Sequence, residues 1–387
     1  MSTKPVVLIA GGGTGGHVYP GIAVAQALRS LADVDVVFAG SPRGLESKVV
    51  PAAGFALELL DVEPMKGGGP ARAIRGALVA AKAMRHAASF VRRIRPAAAL
   101  SVGGYAAGPA SLACVSLRVP LAILEPNSIL GFSNRVVAPF VRRSYVAWAE
   151  TARVFRGDKA RLLGVPLRSA FSPRAYTPGS PRRILVLGGS QGAQALNERL
   201  PNAIASALAR LGPADVFVIH QAGRDRDAQV WNDYEKAGVR TVTVVPFLDD
   251  VADQMASADL IIARSGAVTV AEIAAVGRPS LLVPFPHAAD DHQAKNAMAL
   301  AELGGAICIR QEAADETRLA NEIVMLLSDD ERRTRMAQAA REHGKPHAAH
   351  DIAVDLLSLV GIPQKKRSTS NGHVNGSSRH KVAKEVS

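Results

Sequence analysis

Short apolar runs alternate with helix-period segments along most of this 387-residue chain. Runs at 5–10, 34–38, 97–101 and 121–124 in the first half predict strands, as do 183–187, 215–220, 241–245, 259–263, 280–283 and 305–309 in the second. Strand and helix in alternation predict βα units and a parallel sheet. Residues 164–183, GVPLRSAFSPRAYTPGSPRR, break the rhythm: they are rich in proline, carry little hydrophobic periodicity and predict a linker. Directly after it the chain resumes as it began, with a strand, a glycine turn and a helix. The pattern predicts an α/β protein of two Rossmann-like domains with doubly wound parallel sheets, 1–163 and 184–345, facing each other across a central cleft. Ligands are then expected at the carboxyl ends of the strands. A C-terminal helix at 346–362 and a disordered basic tail at 363–387, rich in Ser, Asn, Gly and Lys/Arg, complete the expected organisation.

Composition agrees with two buried cores, since 48% of the residues are apolar. Cys114 and Cys308 lie far apart in apolar surroundings, which predicts small buried hydrophobes and not a disulfide or a metal site. The opening MSTKPVVLIAGGG shows no export pattern. No window approaches the roughly 18 uninterrupted apolar residues of a membrane span, so membrane contact is expected to be peripheral.

Charge changes this picture more than composition does. Of a net +12, the stretch Pro64–Ala149 supplies +11, with twelve Lys/Arg against the single acid Glu125. Within it, residues 71–95 set Arg72, Arg75, Lys82, Arg85 and Arg92 on one helical stripe and Ile74, Leu78, Val91 and Ile94 on another. A charge stripe is commonly a solvated face. This one also suits an anionic membrane surface, where each basic side chain contributes about 1 kcal/mol. Only 4% of the residues are aromatic and no nucleic-acid motif is present, so nucleic acid is not an expected partner.

The loop GGGTGGHVYP, residues 11–20, has the G-x-G-x-x-G spacing at Gly11, Gly13 and Gly16, between a predicted strand and a predicted helix. Glycines there allow close backbone approach, and a helix N-terminus offers free N–H groups to an anion. A nicotinamide site would place an acid at the far end of the second strand. That end reads Ala39-Gly40-Ser41, with Asp33 and Asp35 at the other end, which weakens an oxidoreductase reading. His17 closes the loop at the helix start, where an imidazole can act as a base or hold an anion.

The ordered motifs GGTGGHVYP (12–20), GGYAAGP (103–109), EPN (125–127), GVPLR (164–168), LGGSQGA (187–193), HQAG (220–223), PFLDD (246–250), RSGAVTVAE (264–272) and HQAKNA (292–297) resemble the MurG family of UDP-N-acetylglucosamine transferases. The resemblance covers nearly all of residues 5–361. It implies the GT-B architecture and an inverting transfer of GlcNAc from UDP-GlcNAc to the 4-hydroxyl of an undecaprenyl pyrophosphoryl muramoyl-pentapeptide, at the cytoplasmic face of the cell membrane.

By the same resemblance, Thr14, Gly15 and Gly16 line the cleft beside the diphosphate, and His17 is the candidate base, with Glu125 a weaker candidate. Asn127 meets the GlcNAc, Ser190 the diphosphate, and Arg168 the charge that develops on it. Leu248 meets the uracil; the helix start Ala267, Val268, Thr269, Val270 and Ala271 faces the nucleotide; Glu272 grips the ribose; Gln293 and Asn296 hold the sugar. Arg75, Lys82 and Arg85 face the membrane. Ser101, Pro126 and Val165 stand where the family often has glycine, glutamine and asparagine. No tightly bound cofactor is implied. The pairs Asp249-Asp250 and Asp290-Asp291 are expected to cap local structure and not to hold a metal. A UDP-GlcNAc 2-epimerase is the nearest rival, since it needs the same nucleotide grip without a lipid acceptor.

Overall fold

The apolar runs become the strands of two parallel sheets. A computed structural model of the chain describes residues 4–62, 70–189, 192–212 and 215–365. In the first domain the order along the chain is β1 (Val6–Gly11), α1 (Gly15–Leu31), β2 (Asp35–Gly40), α2 (Glu46–Ala52), β3 (Ala56–Leu59), α3 (Pro70–Ile94), β4 (Ala98–Gly103), α4 (Ala107–Ser116), β5 (Leu121–Glu125), α5 (Phe132–Val137), β6 (Arg143–Val146), α6 (Ala149–Ala152) and β7 (Ala160–Leu162). The second runs β8 (Arg182–Leu187), α7 (Gln194–Leu211), β9 (Val216–Gln221), α8 (Asp227–Lys236), β10 (Val242–Val245), α9 (Val251–Ser257), β11 (Leu260–Ala263), α10 (Ala267–Val276), β12 (Ser280–Leu282), α11 (His292–Glu302), β13 (Ala306–Cys308), α12 (Glu316–Leu327), α13 (Asp330–His343) and α14 (Ala348–Leu359).

The sheet orders are β3-β2-β1-β4-β5-β6-β7 and β10-β9-β8-β11-β12-β13. Both reverse direction beside their first strand, at β1/β4 and β8/β11, so a crevice opens there at the carboxyl ends. Helices cover both faces, which is why Val7, Leu8, Ile9 and Ala10 are all fully buried and read as an unbroken apolar run. Cys114 is buried and Cys308 half-buried; neither is disulfide-bonded.

Residues 164–181 carry no regular structure, but Val165, Leu167 and Phe171 are buried in a core of the second domain. The chain crosses back at its end. In α14, Ile352, Ala353, Leu356 and Leu357 pack with Val24, Ala25 and Leu28 of α1 in the first domain. The Tyr145 hydroxyl donates to Asp355 Oδ2 at 2.9 Å, and Arg143 Nε lies 2.9 Å from the same oxygen. The two crossings touch: a Cβ on Gly164 would fall 2.6 Å from Lys345 Cβ. Lys365 N–H donates to the Leu31 carbonyl at the end of α1; the rest of the expected tail, from 366, lies outside the described residues.

Candidate active site

One wall of the cleft is built where β1 hands over to α1. Gly13 has φ +97, so the chain can turn sharply into the helix. The first-turn amides of α1, at Gly15 and Gly16, have no acceptor within the helix and point out of its N-terminus. Thr14 is exposed and its Oγ1 lies 3.1 Å from His17 Nδ1. If Nδ1 carries the proton and donates to Thr14, Nε2 keeps a lone pair, which is what a base needs. Gly103, φ +87, makes room for that ring: a Cβ there would sit 3.0 Å from His17 Cδ2. Burial pushes the His17 pKa below the ordinary histidine value; the charges of Glu125 and Glu46 oppose this, and His292 from α11 adds to it. The imidazole is thus neutral at pH 7 and able to accept a proton.

Glu125, at the end of β5, is 2% exposed. Its Oε1 accepts from the backbone and side-chain nitrogens of Asn127, both at 3.1 Å; its Oε2 accepts from Gly131 N–H at 2.9 Å and Asn134 Nδ2 at 3.1 Å. With both oxygens accepting from donors, the carboxylate holds Asn127 by its backbone and its side chain. Ser101 fits the same network, donating to Asn134 Oδ1 at 2.9 Å. Trp148 Nε1 donates to the Pro126 carbonyl and Thr151 Oγ1 to that of Asn127, which fixes the loop from below.

The second domain supplies the other wall. Gly266 caps α10, and the amides of Ala267, Val268 and Thr269 form its unpaired first turn. Val270 N–H is the first to bond within the helix, to the Gly266 carbonyl. Ala271 and Glu272 follow in the next turn, both half-buried. Burial raises the Glu272 pKa to about 7, against the opposing charge of Arg168. Arg168 joins the walls: its guanidinium sits 4.9 Å from the ring centre of Tyr19 in α1 and 3.9 Å from Glu272 Oε1.

Leu248 is buried against α10 and its neighbours. Gln293, the second residue of α11, accepts from Phe285 N–H through Oε1 at 3.0 Å, and its carbonyl accepts from Ser265 Oγ at 2.8 Å. Asn296 is fully buried, with Nδ2 donating to the Ser265 carbonyl at 3.2 Å, so in this arrangement it ties α11 to the loop before α10. Asp290 lies 3.8 Å from Arg135 of the first domain, and Asp291 pairs with Arg310 at 2.8 Å. Ser190 lies outside the described residues. Among the described residues no three His, Cys, Asp or Glu side chains gather to hold a metal ion.

Sequence reasoning missed three residues at this site. Tyr19 carries the Arg168 contact, Tyr105 packs against Gly13, and Glu46 accepts the Gly13 amide. Tyr19 and Tyr105 lie inside the quoted motifs GGTGGHVYP and GGYAAGP without a role of their own, and Glu46 lies outside every quoted motif.

Two family descriptions match the chain in order. The glycosyltransferase family 28 N-terminal domain matches residues 7–146, and the family 28 C-terminal domain matches 183–352. A protein of Sorangium cellulosum named UDP-N-acetylglucosamine--N-acetylmuramyl-(pentapeptide) pyrophosphoryl-undecaprenol N-acetylglucosamine transferase is 51% identical over 365 residues, covering 93% of this chain and 90% of its own. One of the same name from Pseudomonas fluorescens is 40% identical, covering 92% and 98%. The crystal structure of MurG from Acinetobacter baumannii superposes with a TM-score of 0.74 at 30% identity, covering 92% of this chain and 99% of that one. A structure from Listeria monocytogenes named for a UDP-N-acetylglucosamine 2-epimerase reaches 0.69 at 17% identity, covering 93% of this chain and 97% of that one, and shares the fold alone. Two parallel-sheet domains in the GT-B arrangement, matched across both halves at this identity, place the chain in glycosyltransferase family 28, and within it the chain belongs to the MurG family.

Proposed function

We propose that the protein transfers GlcNAc from UDP-GlcNAc to the 4-hydroxyl of an undecaprenyl pyrophosphoryl N-acetylmuramoyl-pentapeptide, with inversion at the anomeric carbon. The observation that carries this reading is the meeting of two helix N-termini, those of α1 and α10, across a cleft bridged by Arg168. One grips a nucleotide diphosphate while the other presents His17 to an incoming hydroxyl.

In this reading Glu272 accepts the ribose hydroxyls and the backbone at Leu248 meets the uracil. The α10 amides from Ala267 onward, Arg168 and Ser190 compensate the diphosphate charge. Gln293 and Asn127 hold the sugar, with Asn296 fixing the loop beneath it. The acceptor oxygen attacks the anomeric carbon, its proton passes to His17 Nε2, and the bond to the β-phosphate oxygen breaks with the electron pair leaving on UDP. Thr14, Gly15 and Gly16 line the cleft beside the diphosphate and sugar from the α1 wall. Protein groups supply the whole charge compensation, without a tightly bound cofactor. The test is direct: purified protein given UDP-GlcNAc and the lipid-linked muramoyl-pentapeptide should yield the disaccharide and UDP. Formation of UDP-ManNAc without acceptor would overturn the reading.

The lipid acceptor implies work at a membrane surface. No helix among the described residues is long and apolar enough to cross a membrane. Lys82 and Arg85 are exposed on α3; Arg75 lies on the same helix, its side chain outside the described residues. Past α4, the α5 region exposes Phe132 at 76% and Phe140 at 61%. Basic and aromatic groups on one domain suit peripheral docking on an anionic leaflet. Reversing Arg75, Lys82 and Arg85 together should weaken binding to anionic liposomes by at least about 100-fold, at about 1 kcal/mol per lost charge. Binding indifferent to both lipid charge and these substitutions would remove the docking surface.

A further inference from the structure

The first glycine loop commits one of its amides to a side chain of its own domain. Glu46, the first residue of α2, has no exposed surface. Its Oε2 accepts the Gly13 N–H at 2.7 Å and its Oε1 the Ser41 N–H at 2.8 Å. Gly12, Gly40 and Gly44 surround it, and a Cβ on any of them would overlap its side chain. Ser41 Oγ lies 3.0 Å from the Tyr105 hydroxyl, Leu45 N–H donates to the Gly13 carbonyl at 3.4 Å, and Gly12 N–H donates to the Gly103 carbonyl at 3.3 Å. This carboxylate therefore sits at the junction of the loops after β1, β2 and β4, which bound the acceptor side of the cleft. A buried carboxylate is costly unless its oxygens are filled. An apolar side chain in the same space would avoid that cost but leave the Gly13 and Ser41 amides without their acceptor, so the acid is there to hold these two loops by their backbone.

We infer that Glu46 is a positioning residue for the acceptor side: it fixes the Gly13–His17 turn so that the imidazole faces the acceptor hydroxyl, and its negative charge supports His17 as the base. The inference rests on the transferase reading above. The charged groups acting on His17 are Glu125 from β5, Glu46 from α2 and His292 from α11. Glu125 is committed to Asn127, Gly131 and Asn134, whereas Glu46 holds the backbone of the loop that carries His17 itself.

Glu46→Gln preserves shape, removes the charge, and sets an amide NH₂ against the N–H of Gly13 or Ser41. It should lower kcat on the order of 10- to 100-fold, the scale of a small misplacement of a reacting group. UDP affinity by calorimetry should be unchanged. The acidic limb of kcat should move to lower pH, because losing a neighbouring carboxylate lowers the His17 pKa. Glu46→Asp keeps the charge but retracts the carboxylate, so kcat should fall while the limb stays near the parent's. NMR titration of the His17 imidazole in protein without substrate should move in the same direction for Glu46→Gln. That readout stands whether or not the parent makes disaccharide, so failure of the transferase reading and failure of this inference are told apart. Parental kcat in Glu46→Gln, or a lowered kcat with both the limb and the His17 titration unmoved, overturns the inference. Should Glu46→Gln fail to fold, Glu46→Asp decides: parental kcat overturns the inference, and lowered kcat at parental UDP affinity upholds it.

Discussion

His17→Ala should lower kcat for GlcNAc transfer by about 10²- to 10⁴-fold, the range for removing a general base, and leave UDP affinity at the parent's value. The two effects separate because His17 stands on the α1 wall, while the nucleotide is assigned to the α10 wall across the cleft. The pH dependence has a defined sign. A base must be neutral to act, so kcat falls as pH drops through the His17 pKa, and burial places that pKa below the ordinary 6.5. The acidic limb of kcat, read at saturating donor so that nucleotide-binding titrations do not enter, should therefore lie below 6.5. It should vanish in whatever residual activity His17→Ala retains. A variant with parental kcat, or a limb that persists without the imidazole, would assign the proton to another group.

Most of the fold was legible because its strands are buried on both faces and so read as uninterrupted apolar runs. The three strands that the pattern left out are those where that signature fails. β3 is half exposed at a sheet edge, β6 reads Arg-Ser-Tyr-Val, and β7 is three residues long at the other edge. The strand-to-helix turns at the starts of α1 and α10 were legible because tight backbone turns and helix N-termini leave a local signature. What linked them was not. Glu46 lies 33 residues from the Gly13 amide it accepts, and Arg168 reaches Tyr19 and Glu272 from a segment without periodicity. Such contacts depend on which strand ends the sheet order brings together. The sheet order places β1 beside β4 as well as β2, and no local pattern encodes that neighbour. Glu125 shows the converse: its isolation in a basic stretch was visible, but the four hydrogen bonds it accepts from Asn127, Gly131 and Asn134, all in the loop and helix that follow, were not.

Glu272→Gln should weaken UDP-GlcNAc binding about 10- to 100-fold, the cost of replacing charge-assisted hydrogen bonds to the ribose by neutral ones. In the free protein burial holds the carboxyl near pKa 7 while Arg168, 3.9 Å away, opposes the shift. Near pH 7 a substantial fraction of Glu272 is then protonated, whereas the ribose is gripped best by the carboxylate. Donor affinity should rise from pH 6 to pH 8, and binding at pH 7 should release protons, measurable by calorimetry in buffers of different ionisation enthalpy. Glu272→Gln should abolish both. Arg168→Ala removes the opposing charge, raises the Glu272 pKa further and should move the affinity profile to higher pH. The same shift appears in stability with the opposite slope. A carboxyl whose folded pKa stands above its unfolded 4.5 contributes fully below pH 4.5, and that contribution is lost as pH rises through about 7. Melting temperatures between pH 4.5 and pH 7 should thus fall less steeply in Glu272→Gln than in the parent. An affinity profile flat from pH 6 to pH 8 in the parent would remove Glu272 from the nucleotide grip. A flat profile in Glu272→Gln alone would tie the cost of burying this acid to its use on the donor.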